Sequence, residues 1–312
     1  MIKPPALKQN ATIGIVSPSS WMKESDLKVA VSVFENKGYK LILGESVFLK
    51  NNTYAGNPQE RADDINGMFA NSDIDAIICA RGGYGANRVL PLLDYDLINS
   101  NPKIFMGYSD ITTYLTSISQ KTGLVTFHGP MLSSFKKGLV DFNFDLMEKT
   151  LFGHESVTLH PPSELESRIL KPGKAEGPLW GGNMCLLINR LGTEDQLDTE
   201  GAILFIEDIN EYLYAFDRMM VHMKKAGMFD NIKGLIIGEL LEMKNDAEPF
   251  GKSTDEIVLD VCGDLDIPII SNFPCGHGTF QATLPISIEV ELSAITASPT
   301  VTLLESPVKE HL

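Results

Sequence analysis

Cysteine, basic charge and long apolar runs are all scarce in this 312-residue chain, and each scarcity closes off a class of function. The four cysteines, Cys79, Cys185, Cys262 and Cys275, form no C-x-x-C pair, so their spacing offers neither a disulfide framework nor a zinc site. Cys79 and Cys185 lie among apolar neighbours and are expected to be small core residues. Lys and Arg number 26 against 41 Asp and Glu, a net charge of −15, which argues against nucleic acid as a partner. No apolar stretch comes near the roughly 18 residues of a membrane helix. Ile13–Val16, preceded by Pro4 and Pro5, is too short for a signal-peptide core. A cytoplasmic protein with no membrane partner is therefore expected, and the sequons at Asn10 and Asn51 are chance matches in that setting. The first strand lacks G-x-G-x-x-G, which argues against a dinucleotide loop at Gly82–Gly85. Gly251-Lys252-Ser253 has Asp246 where a phosphate-binding loop needs its first glycine.

What is present is a chain with 43% hydrophobic residues, long enough for two globular domains with a core each. In the first half, Thr12–Val16, Lys40–Leu43, Ala76–Cys79 and Lys103–Met106 read as strands. Ser25–Lys37 and Pro58–Met68 read as helices, the latter with proline at its first turn. Continuous apolar strands between amphipathic helices predict a parallel sheet covered on both faces, of Rossmann-like or flavodoxin-like kind. Ligands bind such sheets at the carboxyl ends of the strands. Pro and Gly clusters between Gly153 and Gly177 mark a boundary, giving domains 1–160 and 161–312. Charge changes there too: 15 Lys+Arg and 16 Asp+Glu precede residue 161, and 11 and 25 follow. Strands at Ala202–Phe205 and Leu235–Ile237 around a helix Tyr212–Ala226, then short strands near Ile269, Ile286–Val290 and Val301–Leu304, predict a smaller, mixed α/β C-terminal domain.

Gly107-Tyr108-Ser109-Asp110-Ile111 puts a serine where a buried strand turns into the helix that begins near Thr112. Such a corner lifts a hydroxyl above the sheet, and the next amide sits at a helix N-terminus suited to an oxyanion. A serine before a helix is, however, most often an N-cap. Arg81-Gly82-Gly83-Tyr84-Gly85 falls at another strand end, where glycine amides can turn toward a ligand oxygen or simply close a tight turn. A serine nucleophile needs a base. Of six histidines, His154, His160, His222 and His311 lie in the linker, on a helix or in the tail, leaving His128 and the glycine-flanked His277. Glu207 and Asp208 end the strand Ile203–Ile206 and point to opposite faces, so only one can orient a histidine.

Arg81–Gly85, Gly107–Asp110, Gly181-Gly182-Asn183, Phe205–Asp208 and Gly276-His277, in order from about Ala11 to Leu292, together resemble the LD-carboxypeptidase family of serine peptidases, which includes the microcin C immunity protein. The resemblance implies Ser109 as nucleophile, Glu207 as orienter and His277 as base, held between the two domains. It also implies an oxyanion hole from the amides of Gly83 and Asp110, a homodimer, and no metal or cofactor. Arg81, Trp180 and Asn183 are the side chains expected to bind substrate, Trp180 by stacking on a nucleobase. That favours the immunity-like branch, acting on the amide-like bond of peptidyl- or aminoacyl-nucleotides. The alternative is removal of the terminal D-alanine of a murein tetrapeptide. A two-lobed small-molecule-binding protein without chemistry is the reading from another class.

Overall fold

The apolar runs of the first half do form strands of one sheet. A computed structural model describes residues 1–153, 157–296 and 298–309; His154 and His311 lie outside them. The chain divides into two compact units, Met1–Glu155 with Ala282–Ser287 and Ser306–Leu312, and Ser156–Gln281 with Ile288–Glu305. Residues 282–287 and 306–312, counted with the second half in the sequence, thus belong to the first unit.

In the first unit, β1 (Thr12–Val16), β2 (Lys40–Leu43), β3 (Ala76–Cys79), β4 (Ile104–Gly107) and β5 (Phe127–His128) alternate with helices α1 (Glu24–Asn36), α2 (Pro58–Ala70), α3 (Tyr95–Ser100), α4 (Thr112–Thr122) and α5 (Asp141–Leu151). Every residue of β3 and β4 is buried, as strands covered on both faces require. The strands run parallel in the order β5-β4-β3-β1-β2, with a late antiparallel strand, β12 (Leu284–Pro285), beside β5. Helix α2 starts on a capping box, Asn57 receiving the Glu60 amide while Glu60 receives that of Asn57.

The second unit holds an eight-stranded sheet. Its strands are β6 (Thr158–Leu159), β7 (Arg168–Lys171), β8 (Gly173–Asn183), β9 (Ile203–Ile209), β10 (Gly234–Leu241), β11 (Ile269–Phe273), β13 (Glu289–Ala294) and β14 (Thr300–Leu303). Helices α6 (Met184–Asn189), α7 (Leu213–Lys225) and α8 (Thr254–Cys262) complete it. The central strands β8 to β11 are parallel, flanked by antiparallel β13, β14 and β6 on one side and β7 on the other. The Pro- and Gly-rich stretch read as a boundary contains β6, β7 and the start of β8. Pro172 falls in the break between β7 and β8, where no ladder donor is needed. The core packs Leu204, Ile206, Phe216, Met220 and Val258 between sheet and helices. Among the described residues no helix is long and apolar enough to cross a membrane, and no group of three or more His, Cys, Asp and Glu is placed to hold a metal.

Candidate active site

Ser109 is not a cap. Strand β4 ends at Gly107, Tyr108 is fully extended, and Ser109 opens a short 3-10 turn, Ser109–Ile111, with φ +64°. The N-cap position of α4 is Ile111, and no side chain caps it. A left-handed φ is uncommon outside glycine, and its cost of order 1 kcal/mol persists only where the surroundings enforce it. They do so here at close quarters: a Cβ added to Gly107 would lie 2.8 Å from Ile111 Cγ2, and one added to Gly82 would lie 2.9 Å from Ser109 Cβ and 3.0 Å from its Oγ. The half-buried serine therefore stands on a sharp strand-to-helix corner, walled by the glycine loop after β3.

That loop is braced from below by charge. Asp110 is 2% exposed and accepts hydrogen bonds from Ser19 Oγ (2.6 Å) and the Ala86 amide (3.0 Å). Burial pushes its pKa up, against the pull of those two donors, the Arg61 charge and the Gly85 amide. Arg61, buried on α2, donates to the carbonyls of Pro18 (2.9 Å) and Gly85 (3.3 Å) and lies over the Tyr54 ring. A buried guanidinium is tolerated only with such partners. The side chain of Asp110 thus ties the ends of β1, β3 and β4 together, while its amide, second in the turn, has no partner within a helix so short. Gly83 is exposed with φ +125°. Arg81 donates from Nη1 to the Trp21 carbonyl (3.2 Å).

In the second unit the alternation along β9 separates two acids. Glu207 is fully buried, and its Oε2 lies 2.7 Å from Nδ1 of His277, whose side chain is 16% exposed. Asp208 faces the other way: it accepts from Asn183 Nδ2 (3.1 Å) and from the amides of Cys185 (3.0 Å) and Ile209 (2.9 Å). Burial and the neighbouring Glu207 charge raise its pKa to about 6, despite those donors. For His277, burial is the largest single influence and favours the neutral ring. The charge and hydrogen bond of Glu207, with Asp208 and Glu239, outweigh it and leave the pKa raised.

Asn183 is buried, its side-chain oxygen capping α6 through the Leu186 amide. Trp180 is half-buried against the core between sheet and helices, beside Gly181, whose added Cβ would lie 1.8 Å from the Phe205 carbonyl oxygen. Cys185 is exposed, against the expectation of a core residue: α6 turns its apolar Met184 and Leu187 inward and leaves residue 185 outside. His128 is buried on β5 with its ring 6.1 Å from that of Tyr108, and His222 is exposed on α7. Two charged residues of the site region escaped the sequence reading. Arg61 sits on the buried face of α2, and Glu239, 5% exposed, interrupts the apolar strand β10. For Glu239 a charge inside an apolar run was the available signal, whereas Arg61 lies among polar residues of α2 that offered none.

The chain matches the LD-carboxypeptidase N-terminal domain over residues 13–129 and the LD-carboxypeptidase C-terminal domain over 176–292. It is 36% identical to the probable murein peptide carboxypeptidase of Bacillus subtilis, over 99% of this chain and 96% of that one. It is 32% identical to the microcin C7 self-immunity protein MccF of Escherichia coli, over 90% of each. The solved structure of MccF in complex with glutamyl sulfamoyl guanosine superposes with a TM-score of 0.93 at 27% identity, covering 99% of this chain and all of that one. The corner at Ser109, the Glu207–His277 pair and the two matched domains lead to one conclusion: this chain is an enzyme of the LD-carboxypeptidase family, a serine-type hydrolase.

Proposed function

We propose that Ser109, His277 and Glu207 act as nucleophile, base and orienter in hydrolysis of an amide-like bond. The observation that carries this reading is the 2.7 Å contact between buried Glu207 and His277 Nδ1. It fixes the tautomer and favours the imidazolium that forms in the reaction. Ser109 Oγ attacks the carbonyl carbon while His277 Nε2 takes its proton. The oxyanion is received by the amides of Asp110 and Gly83. His277 then protonates the leaving amine, and water, activated by the same ring, releases the acyl group from Ser109. Residues 1–160 supply the nucleophile and 161–312 the acid–base pair.

For the substrate, the likeness to an MccF complex with glutamyl sulfamoyl guanosine supports peptidyl- or aminoacyl-nucleotides. The indole of Trp180 is the group to stack on a base, with Arg81 as a further contact to the bound molecule. A second reading, a murein tetrapeptide losing its terminal D-alanine, is favoured by the higher identity to the Bacillus subtilis relative. Parallel measurement of kcat/KM on an aminoacyl-sulfamoyl adenosine and on the tetrapeptide decides between them. The immunity-like reading predicts the larger value for the nucleoside, and the reverse order overturns it. The family reading also includes a homodimer, which sedimentation equilibrium tests, and the sequence reading a cytoplasmic location, which cell fractionation tests.

A further inference from the structure

Strand β10 carries an acid that the triad does not use. Between Ile237 and Leu240, β10 spends three steps where β9 spends two, Ile206 to Asp208. This bulge re-aims Glu239 out of the regular alternation, as bulges beside functional sites do. Gly238, within the bulge, has no room for a side chain: an added Cβ would lie 2.8 Å from both Glu207 Cβ and Cys275 Sγ. The Glu239 carboxylate reaches the His277 loop, where it accepts the Gly278 amide. A Cβ on Gly278 would lie 2.1 Å from either Glu239 oxygen, and one on Gly276 would lie 2.7 Å from the Glu239 carbonyl oxygen. Glycine is thus required on both sides of His277 because Glu239 packs against both.

Two buried carboxylate oxygens here, Glu239 Oε2 and Glu207 Oε1, have no hydrogen-bond partner among the described residues. A negative charge on one of two neighbouring buried acids opposes ionisation of the other. Burial and the Glu207 charge raise the Glu239 pKa to about 7, against the Gly278 amide and His277. The titratable groups facing Glu239 in this unit are Glu207 from β9 and His277 and Cys275 from the loop after β11. Buried Cys275 is held as a thiol, burial raising its pKa well above the ordinary value with help from the two glutamates.

We propose that Glu239 is a positioning residue for the general base: its carboxyl anchors the loop that carries His277, and its charge state sets how basic His277 is. This rests on His277 being the base. At low pH Glu239 is neutral and Glu207 alone supports the imidazolium. As Glu239 loses its proton, a negative charge beyond those of Glu207 and Asp208 makes the ring more basic, so the groups titrate together and the acid limb of the pH profile is broad.

The test is Glu239→Gln, which keeps an acceptor for the Gly278 amide and removes the charge. Two readouts are taken, kcat/KM against pH and the His277 ring resonances by NMR titration. The expected result is a fall of several tenths to about one unit in the His277 pKa, with a steeper acid limb moved down by the same amount. An unchanged pKa and limb in the folded variant overturn the proposal. Glu239→Asp retains the charge and is expected to keep the limb in place even where turnover falls. A limb moved down in Glu239→Asp by several tenths of a unit or more also overturns it, and this variant decides alone if Glu239→Gln does not fold. His277→Ala separates the two readings. Loss of turnover there with an unmoved limb in Glu239→Gln rejects only the role of Glu239, whereas turnover retained in His277→Ala rejects the base.

Discussion

The two units hold Ser109 and His277 by different means. Ser109 is set by sterics: a left-handed backbone angle, glycines at 82 and 107 where no Cβ fits, and a network through Asp110 and Arg61 that closes three strand ends. His277 is set by electrostatics: one buried carboxylate in direct contact and two more, Asp208 and Glu239, felt through space. Steric placement fixes where an atom is and leaves its chemistry ordinary. Electrostatic placement also sets the proton affinity of the ring. Substitutions in the first unit should therefore lower turnover at every pH, and those in the second should reshape its pH dependence.

The largest effect expected is that of Ser109→Ala, a loss in kcat/KM on the order of 10⁴- to 10⁶-fold with an unchanged circular dichroism spectrum. Retained turnover would break the comparison at its first term. Glu207→Gln is expected to cost on the order of 10³- to 10⁴-fold by disturbing the tautomer. Asp208→Asn should cost far less, since Asp208 holds Asn183 and the start of α6 instead; the reverse order would mean that the wrong acid has been assigned. Gly82→Ala should lower kcat by roughly 10- to 100-fold at all pH values, because its Cβ would meet Ser109 and force the proposed nucleophile aside. A change confined to the acid limb would contradict the steric account.

Smaller effects test the sign of the electrostatics. The raised pKa of His277 means that kcat/KM rises with pH through that pKa, since the base must be neutral. In stability the three shifts act together. Asp208 and Glu239 are raised in the fold to about 6 and about 7, so the unfolded chain loses those protons first. Their contribution is fully present below pH 4 and is lost as pH rises through 6 and 7. His277, also raised, loses its contribution as pH climbs through its folded value. Urea midpoints should fall between pH 4 and 8, and the fall should be shallower in Glu207→Gln, which lacks the charge acting on all three; a steeper fall would contradict the assignment. The smallest effect expected is in Ser109→Gly, a gain of roughly 0.5 to 1 kcal/mol from a residue at ease with φ +64°.

Much of this was legible in the sequence because its signals are local. Buried parallel strands are written as apolar runs, and Ala76–Cys79 appears at the residues expected. The corner after Gly107 is written as a strand followed at once by a helix. The choice between Glu207 and Asp208 was not legible, since alternation separates the two faces without saying which holds the histidine. Nor was the left-handed angle of Ser109, which comes from packing against Gly82 twenty-seven residues away in sequence. Strands β7 and β8 were hidden because Pro172 and the glycines at 173, 177, 181 and 182 read as loop. Pro172 and Gly173 lie at the break between the two strands, and at Gly177 and Gly181 a neighbouring backbone carbonyl leaves no space for a Cβ. Glu239 was missed because its position depends on a bulge, which shifts register without a residue pattern of its own.

The most direct test of the triad is covalent. Intact chain treated with a serine-directed phosphonate should gain one adduct, mapped by peptide mass spectrometry to Ser109, absent in Ser109→Ala and formed far more slowly in His277→Ala. An adduct on another serine, or no adduct on a chain that still hydrolyses its substrate, would contradict the account.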